Sequence, residues 1–211
     1  MKFKNEIISN GYITLRPFKI DDAINMFNNW ASDREVTKYI SWSPHSSVNV
    51  TNQIINKWLE EYKNNETLLW AIDLNNENNN PYGGIGISKI IDNNTIEIGY
   101  VLSRKWWHRG IITECLRMVI DYIFNNTSIN TIQAVCNVNN KGSQRVLEKN
   151  NMKQLYRFNM FVEEKNELWK CYRYEIKKRD GRYYWEHNEY KSSISTSNED
   201  QYIIASCIVY K

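Results

Sequence analysis

The chain has 211 residues, 42% of them hydrophobic and 24% charged, with a formal net charge of +3. That length suits one domain with a sizeable core, and the charge is too weak to argue for nucleic acid, since no recognisable module accompanies the densest basic run, Lys177-Lys178-Arg179. Met1 to Arg16 holds no apolar signal core, and the apolar run Tyr202 to Tyr210 is too short to span a bilayer, so a cytoplasmic protein with no membrane or nucleic-acid partner is expected.

Tyr12 to Arg16 alternates as a half-buried strand does, and Pro17 ends it. Asp21-Asp22 opens a helical pattern with Ile24, Phe27 and Trp30 on one side, and Thr51 opens another with Ile54, Ile55, Trp58, Leu59 and Tyr62. Leu68 to Leu74, Tyr82 to Ile91 and Thr95 to Leu102 read as an antiparallel meander with polar turns between them. A helix follows from near Gly110, with Leu116, Val119, Ile120 and Ile123 on its buried face. Then come a strand (Ile129 to Val138), a helix (Gly142 to Asn150) and two strands (Lys153 to Glu163 and Leu168 to Ile176). The strand-helix-strand step around residues 113–124 requires one parallel pair, so the sheet is mixed and the fold class α/β (α+β). From about Arg179 the composition turns polar; Tyr202 to Tyr210 reads as an added edge strand or part of a disordered arm, and pairing of that strand between chains would make a homodimer.

Cys115, Cys136, Cys171 and Cys207 form no CxxC pair and lie in apolar stretches, as reduced buried thiols do. His45, His108 and His187 are far apart in sequence, which argues against a metal site.

The stretch with the most chemistry is Glu97 to Thr113, EIGYVLSRKWWHRGIIT, a strand running into a turn and a helix N-terminus. Such a junction points unpaired backbone N–H groups outward with the positive helix end behind them, which suits a diphosphate. Gly110 permits close approach of a ligand, Arg109 and His108 add donors, and Thr113 adds a hydroxyl. Most strand-turn-helix junctions bind nothing, so the bland alternative stands beside this one. The segment is neither a Walker loop nor a dinucleotide fingerprint, and Gly83-Gly84-Ile85-Gly86 lies inside a strand, where a bulge or close strand packing is the simpler explanation.

The run EIGYVLSRKWWHRGIITE resembles the acyl-CoA-binding motif of GNAT acetyltransferases, in particular the RimJ/RimL-like branch, with Trp107-His108-Arg109-Gly110-Ile111-Ile112 and then Thr113-Glu114. It departs from the family at Ile112, where a small residue is usual. Ile13 to Phe18, Trp70-Ala71-Ile72, Gly83 to Gly86 and Asn140 to Lys149 match further pieces in the family's order, so the resemblance covers about residues 10 to 177. It implies a GNAT domain over residues 1–177, with 178–211 as an extension, and a mostly antiparallel sheet of about seven strands with about four helices, splayed between its middle strands.

It also implies acetyl-CoA as cosubstrate, no metal, and an amine acceptor, either a protein N-terminus or a small amine. By resemblance, Glu97 is the candidate general base, through a water, and Ser143 the donor to the leaving thiolate. Tyr100, Val101, Leu102, Trp107, His108, Arg109, Gly110, Ile111, Ile112, Thr113 and Asn140 are the cofactor-binding candidates, with the Tyr100 or Val101 N–H polarising the thioester carbonyl beside a bulge at Gly99. Trp42 is a candidate acceptor contact. Local explanations compete: Glu97 as a solvent-facing strand charge, Asn140 as a helix cap that Ser143 supports, and Trp42 as packing. A non-catalytic acyl-CoA-binding module, motivated by Ile112 and the tail, and a mononucleotide-binding protein are the other two readings.

Overall fold

A computed structural model describes residues 2–75 and 80–178. Among these residues eight strands form one sheet: β1 (Ile8–Ser9), β2 (Ile13–Arg16), β3 (Leu69–Leu74), β4 (Pro81–Ile90), β5 (Thr95–Leu102), β6 (Thr131–Asn137), β7 (Lys153–Val162) and β8 (Glu167–Lys177). Their spatial order is β1-β2-β3-β4-β5-β6-β8-β7, antiparallel throughout except for β5 beside β6. The strand beyond the expected seven is β1, a short pairing of Ile8 and Ser9 with Leu15 and Thr14. The expected strand at Tyr202 to Tyr210, and with it any pairing between chains, lies outside the described residues.

Among the described residues five α-helices cover the two faces: α1 (Ala23–Met26), α2 (Arg34–Thr37), α3 (Val48–Asn64), α4 (Ile111–Asn126) and α5 (Lys141–Lys149). β3 is buried along its whole length because both faces are covered. One core cluster joins Ile96, Ile98, Tyr100 and Leu102 of β5 to α4 and α5; the other joins Val101, Leu69 and Ala71 to Phe18, Met26, Trp30, Ile55 and Trp58. The two-residue alternation of a strand therefore sends β5 side chains into two separate layers.

The helical pattern after Asp22 is broken. A π turn at Phe27–Ala31 follows α1 directly, and it widens the spiral. Met26 and Trp30 face the core while Ile24 is 61% exposed, which corrects the face assigned from 3.6-residue spacing. Beneath this segment Arg16 grips two buried carboxylates, Asp22 at 2.7 and 2.9 Å and Asp73 at 2.6 and 3.2 Å. Burial pushes the Asp73 carboxyl up, and Arg16 opposes that shift.

Glycine in β4 answers crowding. A Cβ on Gly83 would come 2.2 Å from the Val101 carbonyl oxygen, and one on Gly86 would come 2.3 Å from that of Leu68. The bulge is not at Gly99, which pairs regularly with Gly86; it is in β4, where Ser88 is the extra residue opposite Glu97 and Ile98.

Candidate active site

Three features meet around the end of β5. The first is the turn into α4. Trp107 donates its indole N–H to the Leu102 carbonyl at 2.9 Å, which folds the turn back against the strand. His108 (φ 62°) and Gly110 (φ 73°) then adopt the left-handed region, and Gly110 forms the helix N-cap without any side-chain cap. Helical bonding begins with Glu114 N–H to Gly110 O at 3.1 Å. The N–H groups of His108 through Thr113 find no acceptor among the described residues. His108, Arg109 and Gly110 are exposed, and the Arg109 guanidinium lies 4.7 Å from the Trp106 ring centre. Ile111 and Ile112 send their side chains into the core, each 2% exposed, and so offer only backbone outward. The bulk at Ile112 therefore packs inward and does not line the turn.

The second feature is a split in the sheet. β5 and β6 pair at three positions only, Thr95 with Thr131, Ile96 with Ile132 and Glu97 with Gln133, although both strands continue. Ser103 N–H bonds the Tyr82 carbonyl at 2.7 Å, and antiparallel alternation from that pair turns the Val101 and Gly99 N–H groups toward β4. The Tyr100 and Leu102 N–H groups consequently face the side where β6 has parted. Of the two amides named from sequence, Tyr100 has the right direction and Val101 does not.

The side chains at the split are already engaged. Tyr100 and Ser143, both buried, share a hydrogen bond of 2.8 Å between their hydroxyls. Burial pushes the Tyr100 hydroxyl well above the ordinary tyrosine value, so it stays protonated. Asn140 is 1% exposed and accepts the Ser143 N–H at 3.1 Å, so its side chain acts as a cap. Glu97 is buried too; its carboxylate is 3.2 Å from Arg173 and 3.3 Å from the Ser88 hydroxyl, where the parallel ladder ends.

The third feature is a cavity of about 270 Å³ on the α1–α3 face. Phe18, Trp30, Trp42, Trp58, Leu69 and Ile54 form much of its wall; Gly84 and Val101 form its floor on the sheet, and His45 and Glu164 bring polar groups. Val101 thus borders the cavity on a strand whose other edge opens to the split. Glu97 is absent from the lining and lies four residues before Val101, roughly 13 Å along an extended strand. The structure therefore brings Tyr100, Ser143 and the turn together, puts Trp42 in the cavity wall, and places Glu97 apart from both.

Sequence reasoning missed Trp30, Trp58, His45 and Glu164 as neighbours of one cavity. Phe18 and Trp58 do show an aromatic pair (4.8 Å between ring centres), but nothing in residue spacing brings a loop at 42–46 to the β7–β8 connection. Ser43 makes that link through its N–H, 3.0 Å from the Glu164 carboxylate. No helix among the described residues is long and apolar enough to cross a membrane, and those residues contain no group of three or more potential metal ligands.

Comparison with known proteins bears on the same region. The acetyltransferase (GNAT) domain family matches residues 13–153. An uncharacterised N-acetyltransferase of Bacillus licheniformis, p20, is 27% identical over 169 residues, covering 80% of this chain and 94% of that protein. Among solved structures, a GNAT-family acetyltransferase from Bacillus anthracis superposes with a TM-score of 0.70 at 27% identity, covering 82% of this chain and 98% of that one. A ribosomal-protein-S5-alanine acetyltransferase from Vibrio fischeri has the same fold, with a TM-score of 0.70 at 18% identity over 84% of this chain and 100% of that one.

Proposed function

This chain belongs to the GNAT acetyltransferase family and is an N-acetyltransferase; we propose that it takes acetyl-CoA at the turn before α4 and transfers the acetyl group directly to an amine in a ternary complex. The observation that carries this is the run of unpaired N–H groups from His108 to Thr113 beside a strand edge that β6 has left open. Acetyl-CoA supplies the activated acetyl thioester.

The peptide amides of the turn and the positive end of α4 hold the diphosphate, and Arg109 adds a charge-assisted contact. Asn140 closes the far side of the split as the cap of α5. The Tyr100 N–H, turned into the opening, donates to the carbonyl oxygen as charge gathers there. The Tyr100–Ser143 pair keeps a protonated hydroxyl next to the departing sulfur, and Ser143 passes that proton on. Glu97 takes part from a distance: paired with Arg173, it fixes the place where the ladder stops, and it reaches the amine only through water. The domain is taken to be residues 1–177 with 178–211 appended.

Hydrogen exchange followed by mass spectrometry tests the binding mode. Coenzyme A should slow exchange across residues 107–113, and ATP should not. Unchanged exchange there in a coenzyme-saturated sample would remove the turn from the mechanism. Acetyl-CoA-dependent thiol release with a panel of amines tests catalysis.

A further inference from the structure

The cavity on the α1–α3 face lies apart from the diphosphate turn, and its walls describe a different ligand. Three indoles (Trp30, Trp42 and Trp58) and Phe18 enclose a space of about 270 Å³. A dry apolar cavity of about 150 Å³ already accepts benzene, so this one has room for a single ring or branched chain with a short arm. Only the end of a longer chain would fit inside it. Glu164 is the one carboxylate in the lining, so a polycation carrying several charges would find a single anionic partner there. Trp30, 1% exposed, adds apolar ring surface to the wall, and its indole N–H is buried with no acceptor among the described residues.

His45 sits in the same lining and is held rigidly. Its Nδ1 lies 2.8 Å from the Thr51 hydroxyl of α3, its N–H bonds the Ala31 carbonyl at 2.8 Å, and its ring is 5.1 Å from that of Trp42. Either group can be the donor in that contact; in the tautomer where Nδ1–H donates to the Thr51 hydroxyl, Nε2 carries a lone pair, and it has no hydrogen-bond partner among the described residues. Burial lowers the pKa of this imidazole, which keeps it neutral near physiological pH. Around it, α3 contributes Thr51, Val50 and Ile54, α1 contributes Met26, the sheet contributes Leu69 and Val101, and Glu164 is the one charged side chain in the lining.

We propose that this cavity binds a small primary amine carried on an aromatic or branched apolar body, and that His45 takes the proton the amine loses on acetylation. This rests on the acetyltransferase reading above. In the step, the amine nitrogen bonds the thioester carbonyl carbon and its proton passes to His45 Nε2. The carbon–sulfur bond breaks with its electron pair leaving on sulfur, the thiolate takes a proton from the Tyr100–Ser143 pair, and solvent restores that proton. His45 then returns its proton to solvent, leaving an acetamide and free thiol.

The test uses the full chain with acetyl-CoA and three acceptors: phenethylamine, spermidine and a peptide with a free N-terminal serine. Phenethylamine should be acetylated with kcat/KM about tenfold or more above either of the others. It should also raise the melting temperature of the coenzyme-bound protein. His45→Gln should lower kcat about 100-fold with little change in KM for the amine, and should erase the acid limb of the pH profile. Trp42→Ala should raise KM for phenethylamine instead. Preference for spermidine or the peptide overturns the acceptor class while leaving the acetyltransferase reading intact. Wild-type kcat and pH profile in His45→Gln overturn its role as base. Bound acetyl-CoA with transfer to none of the three, and no thermal shift with phenethylamine, overturns the whole inference. Failure of acetyl-CoA to bind in calorimetry strikes the parent reading, and appears separately.

Discussion

The two faces of the sheet recognise by opposite means. On the α4–α5 face the polar side chains beside the split are already spoken for: Tyr100 with Ser143, and Asn140 with the Ser143 amide. What remains free there is backbone, from His108 to Thr113 and along the open edge of β5. On the α1–α3 face the cavity wall is mostly side chain, three indoles, Phe18 and the His45 ring among them. Peptide groups are common to all sequences, so the first face can hold one ligand while its side chains drift. The second face changes its choice of ligand with each substitution in its wall.

The largest expected effect tests whether the faces are separable. Arg16→Met leaves Asp22 and Asp73 buried without their cation and should cost about 3–5 kcal/mol in chemical denaturation. Because both carboxylates support the α1 side, amine binding should weaken at temperatures where coenzyme affinity is still intact. Equal loss at both sites would merge the faces into one unit. Next is Gly110→Glu, which sets a negative charge among the free amides; calorimetry should show about 100-fold weaker coenzyme binding and unchanged binding of phenethylamine. Gly110→Ala is milder, since a Cβ there meets nothing within 4 Å and only the left-handed backbone is strained, by roughly 1–2 kcal/mol.

Tyr100→Phe deprives the Ser143 hydroxyl of its partner and should lower stability by about 1 kcal/mol. It should slow transfer to every amine alike, whereas a cavity variant alters amines selectively. The smallest effect is on stability against pH. His45 has a lowered pKa in the folded protein, so protons bind the unfolded chain more readily, starting near its ordinary value of 6.5. Stability is therefore full above that value and declines as pH falls through it toward the folded pKa. His45→Gln should flatten that part of the curve in pH-dependent thermal melts.

Much of the first face was legible in the sequence because its signals are local. Gly110 after a strand and before an amphipathic helix marks the turn within one continuous stretch, and Asn140 and Ser143 mark a helix start three residues apart. The parallel pair followed from chain order, since a strand-helix-strand step allows little else. The direction of Ile112 was not legible, because a position in a motif says nothing about which way a side chain points; the first turn of α4 directs it inward. The bulge was sought at Gly99, but a bulge needs a mismatch between two strands, and Ser88 supplies it from the other one. The cavity was hidden for the same reason. Trp30, His45, Trp58, Val101 and Glu164 come from five separate segments, and only the folded sheet makes them neighbours.

The short ladder between β5 and β6 has one more consequence. An unzipped strand on the rim of a sheet invites another chain to add itself there, which is the usual route to fibrils. Here the loose edge is interior, flanked by β4 on one side and by β6 and α5 on the other. A slot of that kind admits something as slim as a single extended thread and turns away anything that must bring a whole sheet with it. Shape alone can thus leave peptide groups free for a visitor without exposing the protein to its own kind.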